Sequence, residues 1–176
     1  MTRKKAFFPI WSVIMLTVLA VAFFIRHCVF TPYEVYGRSM NPTLQGGELL
    51  LVNKWIYKLS NPEFGDIIVF HTREGENHQP KDFIKRVIGL PGDHIVIEHG
   101  HVFRNGQRLI EPYIQEPMEE EKETSLVVPN GKLFVLGDNR NDSKDSREIG
   151  PIELKEVVGR AEWIIYPMER MKWLVH

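Results

Sequence analysis

Two successive hairpin signals lie in Ile95-Val96-Ile97-Glu98-His99-Gly100-His101-Val102-Phe103-Arg104-Asn105-Gly106. Gly100 separates two segments of strand-type residues and reads as the turn between them. The dipeptide Asn105-Gly106 suits a type I′ turn, because both of its positions accept positive φ. The run therefore predicts a β-meander and indicates a domain built from antiparallel strands.

Further strand-type runs, each ended by Gly, Pro, Asn or Asp, occur on both sides of this meander from Tyr33 onward. The predicted strands are residues 48–53, 66–70, 83–88, 94–98, 101–104, 107–110, 133–136 and 157–166. One short helix is predicted around residues 151–157. A mainly β, barrel-like or sandwich-like domain is the expected fold.

Two polar stretches are predicted to be surface connections without a functional role. Residues 115–125 contain Glu116, Glu119, Glu120, Glu121 and Glu123 and few side chains that could pack. Residues 75–81 are similarly polar.

The bulk composition limits the classes of function. The 176 residues, 43% of them hydrophobic, suffice for one globular domain. A formal net charge of -1 provides no basic field for a nucleic-acid backbone. Cys28 has no cysteine to pair with inside the chain, so no disulfide is expected.

An apolar stretch near the N-terminus predicts a membrane anchor. Residues 6–25 would form a helix of roughly 30 Å, the thickness of a bilayer core. Arg3, Lys4 and Lys5 precede it, and the positive-inside rule keeps them cytoplasmic. A cleavable signal peptide is the alternative, but no small-x-small cleavage site follows. The prediction is a cytoplasmic segment 1–5, a single transmembrane anchor 6–26 and an extracytoplasmic domain 27–176.

Beyond the anchor, the run Gly37-Arg38-Ser39-Met40-Asn41-Pro42-Thr43-Leu44 presents a serine at a tight turn. A serine hydroxyl is a weak nucleophile and needs an activating base. None of the histidines at 71, 78, 94, 99 and 101 lies in a recognisable setting for that base. A nucleophile elbow is also excluded, because Asn41 stands where its second glycine belongs. His99 and His101 suggest a metal pair, but without a third ligand no metal is predicted.

A candidate base lies in the run Asp82-Phe83-Ile84-Lys85-Arg86-Val87-Ile88-Gly89-Leu90-Pro91-Gly92-Asp93, where Lys85 interrupts an otherwise apolar strand. Turned inward, the ammonium would lose hydration and its pKa would fall, so the neutral amine could accept a serine proton. The alternative is a lysine whose stem lies along the sheet while its charge reaches water.

A third run, Gly137-Asp138-Asn139-Arg140-Asn141-Asp142-Ser143-Lys144-Asp145-Ser146-Arg147, is dense in turn-forming residues and predicts a loop. Asp145 and Arg147 can form an ion pair that fixes the turn. A direct catalytic role for these two residues is the other interpretation.

Together the anchor and the three runs, in this order, resemble the bacterial type I signal peptidases, membrane-bound serine endopeptidases that remove signal peptides from secreted preproteins. The resemblance spans nearly the whole chain and implies a Ser-Lys dyad, with Ser39 as nucleophile and Lys85 as general base. It places Ser143 where a hydroxyl orients the lysine amine. It places Asp145 and Arg147 where an ion pair shapes the floor of the site.

The same resemblance implies the rest of the site. The backbone N–H of Ser39 would bind the oxyanion, and Gly37 stands where some relatives carry a serine hydroxyl donor. Glycine at this position is common in the single-anchor branch from Gram-positive bacteria, and the short chain also resembles that branch. The implied pockets for small, Ala-x-Ala-like substrate ends are lined by Tyr33, Val35, Met40, Phe83 and Ile84. No cofactor and no metal are implied, and the partners are secretory preproteins and the lipid bilayer.

Two other functions compete with this interpretation. A self-cleaving repressor with Ser-Lys chemistry would need a DNA-binding domain, whereas the N-terminus here predicts a membrane span. A catalytically inactive, membrane-tethered β-rich binding or assembly protein is the alternative from a different class. Under that alternative, replacing Ser39 would leave function unchanged.

Overall fold

A computed structural model describes residues 10–24, 29–72, 81–119 and 123–174. Helix α1 spans Ile10–Phe24, 15 residues, and covers part of the anchor predicted over residues 6–26. In these described ranges, no helix has both the length and the hydropathy of a membrane span. Residues 1–5, predicted to be cytoplasmic, lie outside the described residues, as do Cys28, His78, most of the connection at 75–81 and part of the glutamate-rich stretch.

The domain is mainly β, as predicted, and every strand pair among its described residues is antiparallel. The strands are β1 Phe30–Glu34, β2 Leu49–Asn53, β3 Ile67–Thr72, β4 Lys81–Gly89, β5 His94–Glu98, β6 His101–Arg104, β7 Gln107–Arg108, β8 Thr124–Val127, β9 Lys132–Leu136, β10 Ile152–Glu153, β11 Val157–Tyr166 and β12 Lys172–Trp173. The larger sheet has the order β1-β2-β11-β3-β4-β9-β10, and β12 pairs with β11.

The quoted meander forms the smaller sheet, with the order β7-β6-β5-β8. Both turns have positive φ at two positions, His99 (50°) with Gly100 (73°) and Asn105 (54°) with Gly106 (78°). The first turn therefore uses two residues rather than Gly100 alone. Leu109 does not extend β7, which ends at Arg108 instead of continuing to residue 110.

Four strands fall outside the predicted set, namely β1, β8, β10 and β12. Strand β8 includes the end of the stretch predicted as a solvated loop, because its residues pair with β5 and complete the smaller sheet. Strand β1 contains Pro32, which cannot donate to a ladder. It is tolerated there because β1 lies at the edge of the larger sheet.

The helical elements of the domain are short. They are α2 Ile56–Leu59, α3 Ser146–Ile149, and the 3₁₀ turns Leu154–Glu156 and Met168–Arg170. The helix predicted around residues 151–157 is thus a 3₁₀ turn that follows the two-residue strand β10. The helix α3 before it is begun by Asp145, whose side chain accepts from the N–H of Arg147.

The packed interior brings together the serine run, strand β4 with Lys85, and the loop of residues 137–147. Met40 and Leu44 are buried in the cluster that includes Val52 and Ile164 of the larger sheet, so the serine run is fastened to the core on its inner side. Strand β4 lies between β3 and β9. The loop of residues 137–147 begins where β9 ends, next to β4, and packs against the serine run.

Candidate active site

Ser39 lies in the connection between β1 and β2, on a turn that begins at Gly37 with φ of 81°. The serine is half-buried, while the neighbouring Met40 is 3% exposed and Leu44 is fully buried. Since both apolar neighbours are fixed in the core, the turn holds the serine hydroxyl toward the adjacent cleft. Asn41 donates its N–H to the carbonyl of Arg38 and closes the turn.

Lys85 points inward from β4 and is only 4% exposed. Its Nζ donates to Ser39 Oγ at 2.7 Å and to the carbonyl of Ile84 at 3.1 Å. The same nitrogen lies 5.2 Å from the centre of the Phe83 ring. Burial lowers the pKa of Lys85 from 10.5 to about 8, although the carboxylates of Asp145 and Asp138 act in the opposite direction. The arrangement can supply a neutral amine next to a serine hydroxyl near physiological pH.

The loop of residues 137–147 packs directly behind Ser39. Asn139 donates its N–H to the carbonyl of Ser39 at 3.0 Å. A Cβ on Gly137 would lie 2.4 Å from that carbonyl and 2.2 Å from Ser143 Oγ. Only glycine therefore allows the loop to approach the serine backbone this closely.

Asp145 and Arg147 form a buried ion pair at the C-terminal end of the loop. Asp145 is completely buried, and Arg147 reaches both of its oxygens, with Nε at 2.8 Å and Nη2 at 2.9 Å. The carboxylate also accepts the N–H of Gly137 at 3.0 Å. Arg147 Nη2 donates to the carbonyl of Arg140 at 2.7 Å. The pair thus ties the end of the loop to Gly137 and Arg140, and it lies next to Lys85 without a hydrogen bond to it.

Ser143 has a different partner from the one that the resemblance implies. Its hydroxyl donates to Asp145 Oδ2 at 2.7 Å. No hydrogen bond joins the described side chains of Ser143 and Lys85, whose amine contacts Ser39 and Ile84 instead. In this structure Ser143 therefore extends the Asp145 network.

A cleft of about 920 Å³ opens in front of Ser39 and Lys85. Its wall includes all five side chains expected to bind substrate: Tyr33, Val35, Met40, Phe83 and Ile84. Two backbone edges border it. In the described part of the chain, β1 pairs only with β2, and β9 pairs with β4 only from Arg86 onward, so no described strand pairs with the second edge of residues 81–85 of β4. An extended peptide could add to either edge.

Several charged residues around the site were not predicted. Arg86 donates to both oxygens of Asp138, at 2.8 and 2.7 Å, and its guanidinium stacks 4.0 Å from the Tyr113 ring. Arg140 pairs with Glu111 in an equally buried position. The sequence held one signal, because Arg86 also interrupts the apolar run of β4. Nothing local indicated its partner, which is 52 residues away.

The histidines lie in other settings. His71 lines the cleft, and its Nδ1 is 2.5 Å from Asp82 Oδ1. His94 contacts Ser125, and His101 contacts Arg108. In the described part of the chain, no three side chains of His, Cys, Asp or Glu are grouped as metal ligands.

Comparison with known proteins assigns the chain to a family. The family described as "Signal peptidase, peptidase S26" matches residues 9–166. The chain is 37% identical to signal peptidase I P of Bacillus subtilis subsp. natto over 180 residues, which cover 97% of this chain and 95% of the relative. It is 32% identical to signal peptidase IB of Staphylococcus aureus (strain MRSA252), covering 93% and 92% of the two chains.

Among solved structures, the chain is similar to a signal peptidase I from Enterococcus faecalis V583, with 30% identity and a TM-score of 0.49. That match covers 57% of this chain and 97% of the other. The family assignment depends on the sequence matches, which extend over almost the entire chain. The chain therefore belongs to the signal peptidase family, peptidase S26, and is a hydrolase of the serine endopeptidase class.

Proposed function

We propose that the protein is a membrane-bound endopeptidase that removes N-terminal signal peptides from secreted preproteins, with Ser39 as nucleophile and Lys85 as general base. The observation that carries the proposal is the 2.7 Å hydrogen bond between Lys85 Nζ and Ser39 Oγ. The lysine is buried, and its pKa is lowered to about 8. A buried amine within proton-transfer distance of a serine hydroxyl has the geometry and the basicity that nucleophilic catalysis requires.

The reaction would proceed by acyl transfer. Neutral Lys85 takes the proton of Ser39 while Oγ attacks the carbonyl carbon of the scissile bond. The resulting ammonium protonates the departing amine, and the mature chain leaves with a free N-terminus. An ester then joins the signal peptide to Ser39. Lys85, neutral again, removes a proton from water, and the hydroxide hydrolyses the ester and regenerates the serine.

The oxyanion of the tetrahedral intermediate would be bound by the backbone N–H of Ser39. Among the described residues this N–H donates to no other group. Gly37 has no hydroxyl to add as a second donor. The hydrogen bond from Asn139 to the carbonyl of Ser39 fixes the orientation of the peptide units around the serine. Such preorganisation is what stabilises a developing negative charge.

Substrates would bind as extended chains along the two strand edges that border the cleft. Tyr33 and Val35 on one side, with Phe83 and Ile84 on the other, would line shallow pockets, and Met40 would close the pocket next to Ser39. Side chains that alternate along an extended peptide can enter such pockets at every second position. Shallow pockets favour small residues, which gives the preference for Ala-x-Ala-like ends.

Membrane attachment is part of the proposal, with residues 6–26 as a single anchor, residues 1–5 in the cytoplasm and residues 27–176 outside. Helix α1 exposes most of its apolar side chains, with Ile10 75% and Trp11 79% accessible. Such a surface is unfavourable in water and suits hydrocarbon. Trp163 and Trp173 are also exposed, and indole rings favour the interface of a bilayer. Confinement to the membrane of the substrate raises the effective concentration of both partners.

The direct test is to co-express a secretory precursor with the wild type, Ser39→Ala, Lys85→Ala or the control Lys172→Ala, and to follow precursor size by pulse-chase. Lys172 is also a strand lysine, but it is exposed on β12. Wild type and control should process the precursor, and the Ser39 and Lys85 variants should not. Equal processing in all four strains would overturn the proposal. Equal cell function with Ser39→Ala would favour the inactive binding protein.

A further inference from the structure

The connection between β7 and β8, described over residues 109–119, lies against the loop of residues 137–147. Glu111 provides the central contact, since Arg140 Nη1 donates to Glu111 Oε2 at 3.0 Å and Nη2 donates to Oε1. The two side chains are 6% and 1% exposed. The contact is therefore a buried, doubly hydrogen-bonded ion pair between two segments 29 residues apart.

Arg140 transmits this contact to the nucleophile. Its Nε donates to the carbonyl of Gly137 at 3.0 Å, and its own carbonyl accepts from Arg147 at 2.7 Å. Gly137 in turn packs on the carbonyl of Ser39, which also accepts the N–H of Asn139 at 3.0 Å. A continuous series of hydrogen bonds and close contacts thus joins Glu111 to the backbone of the serine.

Two further contacts hold the same segment on the loop. Asn141 Nδ2 donates to the carbonyl of Pro117 at 3.1 Å, and Asn141 Oδ1 accepts the N–H of Glu119 at 3.0 Å. Tyr113 donates its hydroxyl to Glu111 Oε1 at 2.9 Å. The Tyr113 hydroxyl thereby helps to hold the Glu111 carboxylate in the orientation that Arg140 binds.

A buried ion pair is a weak source of stability, because desolvation offsets much of its attraction. Its consequence here is geometric, since a bidentate guanidinium and carboxylate allow little variation in position. We propose that Glu111 is a positioning residue for the reaction: through Arg140 it fixes the turn of residues 137–139 against Ser39 and thereby holds the serine hydroxyl in line with Lys85. This inference depends on the proposed function. It adds to the site a residue that lies outside the serine run, the Lys85 run and the loop of residues 137–147.

The test compares the full-length protein in detergent as wild type, Glu111→Gln, Asn141→Ala and the control Glu162→Gln. Glu162 is also buried, at 4% exposure, and accepts from Arg160, but it lies on β11 and does not line the cleft. Two quantities are measured: kcat and KM on a secretory precursor, and the pH midpoint of Lys85 modification by an amine reagent, followed by mass spectrometry.

Glu111→Gln should lower kcat at least tenfold with KM unchanged within twofold, and looser packing should admit water and raise the Lys85 midpoint. Asn141 is exposed, so Asn141→Ala should stay folded and lower kcat by about two- to fivefold. Glu162→Gln should change melting temperature only. The inference is overturned if Glu111→Gln and Asn141→Ala have the same kcat and the same Lys85 midpoint as Glu162→Gln. If the wild type leaves the precursor uncut, the proposed function fails, and the Lys85 midpoint alone decides the role of Glu111.

Discussion

Lys85 Nζ and Ser39 Oγ are joined by a 2.7 Å hydrogen bond, although the two residues are 46 positions apart in the chain. The lysine is removed from water by its position in β4, which lowers its pKa to about 8. At pH 7 such an amine is neutral in roughly a tenth of the molecules, whereas an ordinary lysine is almost never neutral. Burial of Lys85 therefore makes a neutral amine available, and that amine can accept the proton of the Ser39 hydroxyl along the same contact.

Activity should increase with pH as Lys85 loses its proton. Below the pKa of about 8, kcat/KM on a secretory precursor should rise close to tenfold per pH unit, and above it the rate should level off. Stopped assays between pH 5.5 and 10 measure this profile. A rate that stays constant from pH 6 to 9 would exclude Lys85 as a base with this pKa.

Replacing the buried lysine should stabilise the fold while it removes activity. Below about pH 8 the lysine is charged in both the folded and the unfolded protein, so the full cost of burying the charge is present. Between about 8 and 10.5 the unfolded chain binds more protons, so the stability of the wild type rises with pH. The lowering of the pKa from 10.5 to about 8 corresponds to a change of roughly 3 kcal/mol in the free energy of unfolding.

Lys85→Met lacks that cost but also loses the hydrogen bonds to Ser39 and Ile84. It should raise the free energy of unfolding at pH 7 by about 1–3 kcal/mol, and the advantage should vanish near pH 10.5. Urea denaturation in detergent at both pH values measures it. Lys172→Met, at an exposed position, should change stability by less than about 0.5 kcal/mol. A less stable Lys85→Met at pH 7 would show that the buried ammonium is well solvated by its partners.

The buried ion pair next to Lys85 should shift its titration in opposite directions when each member is neutralised. The carboxylate of Asp145 raises the pKa of Lys85, and the guanidinium of Arg147 lowers it. Asp145→Asn should therefore move the rising limb of the pH profile to lower pH, and Arg147→Met should move it to higher pH. Both variants should also lose about 3–5 kcal/mol of stability, because each removes one member of a buried ion pair.

The position of the limb does not depend on how much enzyme remains folded, so the two effects can be separated. Wild type and both variants are compared by the ratio of rates at pH 7 and pH 9, with melting curves alongside. Shifts of the same sign in both variants would mean that altered packing, rather than the charge of the pair, controls the pKa of Lys85.

The sequence allowed the strands with strong local patterns to be predicted. Strands β5, β6 and β11 have the predicted boundaries, because hairpin turns bound β5 and β6 and Pro167 directly follows β11. Strand β1 escaped prediction, since Pro32 weakens its pattern and only pairing with β2 makes it a strand. Strand β8 follows a glutamate-rich stretch and is likewise created by its partner, β5.

The same distinction applies to the site. The proximity of Ser39, Lys85 and the loop of residues 137–147 was anticipated from a family resemblance across three runs. The partners of Glu111 and Ser143 were not anticipated, because they depend on how distant segments meet: Glu111 binds an arginine 29 residues away, and Ser143 turns toward Asp145. Side-chain pairing of this kind has no periodicity and no local motif, so only the assembled structure shows it.

Gly137→Ala should disable the site more than it destabilises the fold. The added Cβ would lie 2.4 Å from the carbonyl of Ser39, 2.2 Å from Ser143 Oγ and 2.6 Å from Ser143 Cβ. A hydroxyl can rotate away, but the serine carbonyl is backbone, so the loop and Ser39 must move apart. We expect kcat to fall at least a hundredfold, since misplacement by about 1 Å costs that much. Stability should fall by about 1–3 kcal/mol, as is usual for overpacking.

Gly131→Ala provides the matched comparison. Gly131 has φ of 75° and open space around its missing side chain, so alanine there is strained without any clash. It should cost about 1 kcal/mol in urea denaturation and leave kcat and KM on the precursor unchanged. If Gly137→Ala keeps more than a tenth of the wild-type kcat while it lowers stability as much as Gly131→Ala does, the close approach of Gly137 to Ser39 does not control the position of the serine hydroxyl. A large loss of kcat at Gly137 alone would place the requirement for glycine in the contact with Ser39, because the two substitutions add the same methyl group to two loops of the same domain.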